Sequence, residues 1–372
     1  MQYTWINLTM LHLPHIRLYD CWIPWSYKGL PFAMPFMNAF LFNFVQVVFV
    51  IFICSNDLCV RSRETVEALY VRPVSNVKIV MGRNAGKLVA VTLLNFLSMG
   101  GALFFNILYS GYAFNGSLYL FYWLTLTFPT LVFILGLSNW LGQVVKHQGL
   151  FILLVLSIVG AGILFLATRL EGFLDPFARE IPNVVSDITG HAGIVNYLLQ
   201  RITIFLIGIV FIFLTVGFYP RLDNSVNTRK KTGVLVGGLL LVLMIPVVTF
   251  INRHDARWEQ QAFCKSLQDR YGGVLVDHVV SQRIVLQEET HGFHAESWMR
   301  ITRLTSSDSS LVLFLNPGLE VDALEQDGIP VTYSRTGQVL VTDLHLVEKD
   351  TVNLHVTYHG HIDGSVVCSD LP

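Results

Sequence analysis

Six stretches of this 372-residue chain, 34–54, 88–110, 118–143, 149–168, 202–219 and 233–251, contain no Asp, Glu, Lys or Arg. A helix rising about 1.5 Å per residue needs about 20 apolar residues to cross about 30 Å of hydrocarbon, and each stretch is long enough by that measure. No water-soluble core requires six such runs in succession. The expected architecture is an α-helical polytopic membrane domain of about six spans. Composition agrees: 14% of residues are charged and the mean hydropathy is +0.54, against roughly 25% charged in a soluble domain.

Charge is divided unevenly along the chain. Residues 252–372 hold 9 Lys/Arg and 17 Asp/Glu, net −8, which leaves 16 and 9, net +7, for residues 1–251. The basic residues of the front part sit in short connections and form no continuous face, so they read as topology signals and exclude nucleic-acid binding. Eleven fall on one side: Arg61, Arg63, Arg72, Lys78, Arg83, Lys87, Lys146, Arg221, Arg229, Lys230 and Lys231. Arg17, Lys28, Arg169, Arg179 and Arg201 fall on the other. Basic loops stay preferentially in the cytoplasm, so the chain is expected in the inner (plasma) membrane with its N-terminal segment and acidic C-terminal part outside.

Three regions follow: an extracytoplasmic or interfacial segment 1–33, a membrane domain 34–251 and an extracytoplasmic domain 252–372. The first cytoplasmic connection suits an amphipathic helix opening near Ser62 and ending before Pro73, with Val66, Leu69 and Tyr70 on its apolar face. In the outer connection 169–200, Phe173, Phe177, Ile181, Ile188, Ile194 and Leu198 alternate with charges, as in short interfacial helices or an ordinary ordered loop. Gly100/Gly101, Gly160/Ala161/Gly162 and Gly237/Gly238 suit close helix packing or subunit contacts.

Beyond His254 the period changes. VLVDHVV, QRIVLQ, WMRITRL, SLVLFL, PVTYSR, QVLVTDL and VNLHVTYHG alternate with period 2 and are separated by Gly, Pro, Asp and Ser, which predicts an antiparallel β-domain, a sandwich. Asp327-Gly328 and Thr336-Gly337 are hairpin-turn signals. Cys264 and Cys368 lie near the ends of this domain, where a disulfide competes with two unpaired thiols as the reading.

Catalytic motifs are missing where enzymes need them. Gly82-Arg-Asn-Ala-Gly86-Lys87 has three residues between its glycines and Leu88 after its lysine, so it lacks the spacing and metal hydroxyl of a phosphate-binding loop. No HExxH or GxSxG occurs. His291, His294 and Glu296, and His355, His359 and His361, are the densest histidine groups; they read as solvated strand histidines and not as metal ligands. No cofactor and no catalytic residue is expected. The charge-free spans also lack the coupling group that an ion-driven carrier keeps at membrane depth, so any work must be supplied from outside the bilayer.

The stretch from Arg63 to Ser75 (RETVEALYVRPVS), followed by Lys78 to Gly82 and Lys87 at the entry to a span, resembles the type-2 class of ABC exporter permeases. The resemblance covers about residues 34–219. It implies that Arg63, Glu64, Glu67, Arg72 and Pro73 contact a separate ATPase subunit, that 169–200 holds external re-entrant helices, and that the permease forms a homo- or heterodimer. The tail, through Leu311–Leu319, Val321, Leu324, Gly328, Tyr333-Ser-Arg335 and Val356–Asp363, is similar to the N-terminal β-domain of aminopeptidase N-like zinc peptidases, whose catalytic domain would begin beyond Pro372. That family's permeases begin with one more span, in the place of residues 1–30 here. The function implied is a membrane permease subunit of an ABC exporter, not itself an enzyme. The alternative is a non-transporting anchor that presents the β-domain for binding or for assembly with a peptidase.

Overall fold

The computed structural model describes residues 33–61, 75–105, 108, 115–162, 165, 172–178, 191, 193–219, 226–272, 277–289, 292–303, 310–343 and 351–363. The chain divides into two compact units, Met1–Ile251 and Asn252–Pro372.

The first unit is helical: α1 (Ala33–Arg61), α2 (Asn76–Phe105), α3 (Gly116–Tyr122), a π-helical turn (Trp123–Thr127), α4 (Phe128–Val144), α5 (Gln148–Ala161), α6 (Ile194–Phe218) and α7 (Val226–Tyr271), which runs on into the second unit. Five helical segments are long and apolar enough to cross a membrane: Asn38–Leu58, Asn76–Phe104, Gly116–Val144, Ile194–Phe218 and Lys230–Tyr271. The expected span 149–168 is represented by α5, whose 14 residues rise only about 21 Å. Residues 163, 164 and 166–171 lie outside the described residues. Large apolar side chains stand open on these helices, among them Leu97 (74%), Val234 (77%) and Leu241 (74%), an exposure that water would penalise and lipid does not.

α1 shows how the pattern becomes packing. Phe36, Phe40, Val47, Val50, Ile51 and Cys54 recur at helical spacing and are buried in one cluster with Tyr122, Leu131, Ile134, Phe151 and Tyr197. Close approach between helices occurs at Gly136 on α4 and Gly208 on α6. A Cβ on Gly208 would lie 2.7 Å from the Phe133 Cα and N and 2.8 Å from the Val132 carbonyl carbon, and one on Gly136 would collide with the Gly208 carbonyl oxygen. The expected pairs do not serve this purpose among the described residues: Gly100, Gly101, Gly160, Gly237 and Gly238 have nothing within 4 Å of a Cβ, and Gly162 has ordinary contact with Pro176.

The connection 55–87 is shorter than expected. α2 begins at Asn76, with the Ser75 hydroxyl accepting from the Lys78 backbone N–H (3.4 Å), and continues through Lys78, Arg83 and Lys87 into the apolar stretch. Gly82–Lys87 is therefore mid-helix. Phe173 and Phe177 are buried: Phe177 stacks on Phe44 at 4.4 Å and Phe173 on Phe250 at 4.1 Å. Within the expected outer connection 169–200, residues 172–178 form a turn rather than an interfacial helix, Ile194 and Leu198 lie in the start of α6, and Ile181 and Ile188 lie outside the described residues.

The second unit holds two antiparallel sheets. β1 (Asp277–Glu289), β2 (Gly292–Arg303), β8 (Thr351–Gly360), β4 (Leu319–Gln326) and β5 (Ile329–Pro330) form one, in the order β1-β2-β8-β4-β5. β3 (Ser310–Phe314), β7 (Val339–Asp343) and β6 (Tyr333–Thr336) form the other, in the order β3-β7-β6. Ile301, Leu311, Leu324, Leu340, Leu354 and Val356, drawn from both sheets, make one buried cluster. Asp327 (φ 50°) and Gly328 (φ 84°) turn β4 into β5, and Gly337 (φ 58°) turns β6 into β7, as the turn signals require. The described part of VLVDHVV, Asp277–Val280, joins QRIVLQ in the single strand β1, interrupted by a bulge between Val279 and Ser281.

Candidate functional site

Arg63, Glu64, Glu67, Arg72 and Pro73, the ATPase-contact residues the sequence suggests, lie outside the described residues. The helix ends that flank them do not. α1 carries Asp57 one turn before its end at Arg61, and α2 carries Arg83, Asn84 and Lys87 after its start at Asn76. The Lys87 ammonium donates to Asp57 Oδ2 (3.0 Å) and to Asn139 Oδ1 on α4 (3.0 Å), with Cys54 Sγ 3.7 Å away. Asn139 Nδ2 donates to Asn84 Oδ1 (2.5 Å) and Leu135 O (2.8 Å), and Arg83 stands 3.8 Å from Asp57. Three helices are thus tied by two cations, one carboxylate and two amides. The Lys87 side chain is 11% exposed and that of Asp57 21%, so the pair is much less screened than a surface ion pair.

A second polar node lies on α6. Arg201 is fully buried, although it stands one residue before an expected span and reads as an outer-loop cation. Its guanidinium donates to Gln200 Oε1 (2.5 Å), Pro176 O (2.9 Å) and Asp175 O (2.9 Å), and Thr130 Oγ1 is 3.4 Å away. Gln200 donates to Gly172 O (3.1 Å) and Asp175 O (2.5 Å). Asp175 is buried and electrostatically coupled to Arg201. The cause is the turn 172–178: non-helical backbone buried in an apolar bundle needs donors for its carbonyls, and Arg201 and Gln200 supply them.

α1 also carries polar groups left unpaired. Asn43 and Gln46, one turn apart, are buried, and none of their four amide atoms has a partner among the described residues. Ser55 and Ser138 hydroxyls are likewise buried and unpartnered. Outside the spans, His191 sits against the rings of Phe121 (6.0 Å) and Tyr197 (5.3 Å), and its ring nitrogens lack partners among the described residues. Burial lowers its pKa from the ordinary histidine value, opposed by its own backbone.

In the β-unit the histidines stand on the sheet face turned away from the core. His359 Nδ1 lies 2.7 Å from Asp322 Oδ1, His294 Nε2 is 4.0 Å from Asp322 Oδ2, and His359 Nε2 is 3.9 Å from Glu320. His355 lies between Glu296 (3.5 Å) and Glu325 (3.7 Å) and stacks on Trp298 at 4.8 Å. The carboxylates arrive across strands, so spacing along the sequence does not reveal them. Even so, no group of three or more His, Cys, Asp or Glu among the described residues is arranged to hold a metal ion. His291 and Cys368 lie outside the described residues, as does any pairing of Cys368 with the buried Cys264. Arg335, part of the tail's resemblance, is structural: it donates to Asn316 O (3.0 Å), Gly337 O (3.1 Å) and Leu319 O.

No family model and no curated protein matches the sequence. Among solved structures, a two-domain M1 zinc metallopeptidase mutant bound to L-tryptophan is similar at 21% identity over 23% of this chain and 21% of that chain, with a TM-score of 0.22. The M1 zinc metallopeptidase of Deinococcus radiodurans gives 21% identity, 23% and 21% coverage and a TM-score of 0.21. The chain spans about a fifth of the length of these peptidases, and a likeness of that extent says nothing about activity.

Proposed function

We propose that the chain is the membrane permease subunit of an ABC-type exporter, driven by a separate ATPase subunit that docks on Arg63, Glu64, Glu67, Arg72 and Pro73. The observation that carries this reading is the Asp57–Lys87–Asn139 node. The helices on either side of the segment 62–74 are tied into it, α1 one turn before its end and α2 about three turns after its start, so a push carried by those helices reaches α4 through hydrogen bonds of 3.0 Å. The unpaired Asn43 and Gln46 add support. Buried amides without partners cost about 1–3 kcal/mol each, which favours a bundle with a second conformation in which they are satisfied. On this reading there are six spans, the stretch 149–168 among them, the basic connections face the cytoplasm, and the β-unit is an extracytoplasmic sandwich. The chain is a subunit rather than an enzyme, and the bundle pairs with a second permease subunit.

Affinity capture of the full chain from native membranes tests the docking. An ATPase subunit is expected in the wild-type eluate and is expected to be depleted with Glu67→Arg. Recovery of no ATPase from wild type would overturn the proposal and leave the anchor reading, in which the β-unit is the working part.

A further inference from the structure

Asn38 of α1, Asn95 and Met99 of α2, Tyr119 of α3 and Trp123 and Thr127 of the π-turn line a partly open recess. The space open to water centres is about 10 Å3, about what one water or one hydroxyl group occupies by that measure. Three of these lining residues each hold a buried polar atom with no partner among the described residues: Asn38 Oδ1, an acceptor; Trp123 Nε1–H, a donor; and Thr127 Oγ1, which does either. Asn38 and Thr127 are 3% and 1% exposed. The other end of the Asn38 amide is committed, since Nδ2 donates to the Tyr119 hydroxyl at 2.8 Å, and this fixes Oδ1 as the acceptor. Trp123 and Thr127 are the first and last residues of the five-residue π-turn. That rare geometry changes the helical register where these two side chains line the wall, and such turns recur at functional sites.

We infer that this recess binds the hydroxyl group of an uncharged amphiphile. One hydroxyl satisfies the wall: its hydrogen goes to Asn38 Oδ1, its oxygen accepts from Trp123 Nε1–H, and the Thr127 hydroxyl completes the set. Among the described residues no Asp, Glu, Lys or Arg lines the recess, so a carboxylate, phosphate or ammonium headgroup would meet no counter-charge there and is rejected. The guest's apolar body has a surface to lie on, because Leu93 and Phe96 of α2 and Leu120 of α3 with Leu124 of the π-turn are 64%, 46%, 56% and 56% exposed. The hydroxyl comes from a neutral glycerolipid or from a free aliphatic alcohol. This inference does not depend on the transport reading.

The full chain is purified in phosphatidylcholine nanodiscs doped with dioleoylglycerol, its 3-methoxy ether or dioleoylphosphatidylglycerol, and retained lipid is quantified by mass spectrometry after washing. Wild type is expected to retain dioleoylglycerol about tenfold over either analogue, one good hydrogen-bonded site's worth of discrimination. Thr127→Val, nearly isosteric, and Asn38→Leu are expected to abolish that preference. The comparison of hydroxyl with methoxy lipid on wild type stands even if Asn38→Leu fails to fold. Displacement of dioleoylglycerol by 1-octanol, or selective binding of octanol alone, assigns the source of the hydroxyl within the inference. Equal retention of hydroxyl and methoxy lipid with no octanol binding, which is a bound water only, or a preference unchanged in both variants, overturns it.

Discussion

Replacing Gly208 by alanine tests the packing of the first unit at its tightest crossing. The added methyl would sit 2.7 Å from the Phe133 Cα and N and 2.8 Å from the Val132 carbonyl carbon. These are backbone atoms, which cannot swing aside as a side-chain tip does. Ordinary contact begins near 3.4 Å, so α4 and α6 must part locally by about 0.6–0.7 Å, a gap that forfeits a quarter to a half of each pair's dispersion energy of about 0.1–0.2 kcal/mol. Over the tens of atom pairs at such a crossing the loss is about 1–3 kcal/mol, in line with overpacked cores. Alanine returns about 0.5–1 kcal/mol of helix propensity, leaving a net destabilisation of about 1–2 kcal/mol. Thermal unfolding in detergent should show it as a Tm lower by about 2–8 °C. Gly238→Ala, with nothing within 4 Å of its Cβ, keeps only the propensity gain and should match or slightly exceed wild type. A Gly208→Ala protein as stable as wild type, or equal losses in both variants, would refute the crossing.

Arg201→Leu strips the donors from the buried turn 172–178 and leaves Asp175 without its electrostatic partner; a loss of about 3–5 kcal/mol is expected, read as failure to extract as a monodisperse species, with Arg201→Lys in between. His191 supplies a pH dependence. Its folded pKa is lowered by burial, so the unfolded chain takes up the proton first, and the stability it contributes is complete above the ordinary histidine range and lost as pH falls through it. Wild type should therefore lose more Tm between about pH 7.5 and about pH 5 than His191→Phe, which keeps the ring packing against Phe121 and Tyr197.

Charge-free apolar length made the long apolar helices legible, because bilayer thickness sets the length and the cost of charge in hydrocarbon keeps Asp, Glu, Lys and Arg out. Helix ends were less so. Reading a span as starting at the first uncharged residue puts Asp57, Lys87 and Arg201 outside the helices, whereas all three lie within them, Asp57 and Lys87 paired with each other and Arg201 holding the turn 172–178. A buried arginine is visible only once the turn it satisfies is seen. Gly136 and Gly208 lie in separate helices with no paired glycine nearby, so only the crossing reveals their use. β4 escaped the strand pattern for a related reason: Glu320, Asp322 and Glu325 fill its outward positions, and a bulge between Val321 and Ala323 breaks its alternation. Those same acids pair with His355 and His359, contacts that strand register creates and sequence spacing hides.

ATP turnover by the reconstituted pair tests the coupling role most directly. The full chain is placed in proteoliposomes with the ATPase subunit recovered with it by affinity capture, and hydrolysis is compared with that of the ATPase alone. The wild-type chain should stimulate turnover several-fold. Glu67→Arg should abolish stimulation at the docking segment, and Lys87→Met should weaken it by cutting the segment's link to Asn139. Gly238→Ala should leave it unchanged. No stimulation by wild type, or full stimulation with Glu67→Arg and Lys87→Met together, would contradict the account.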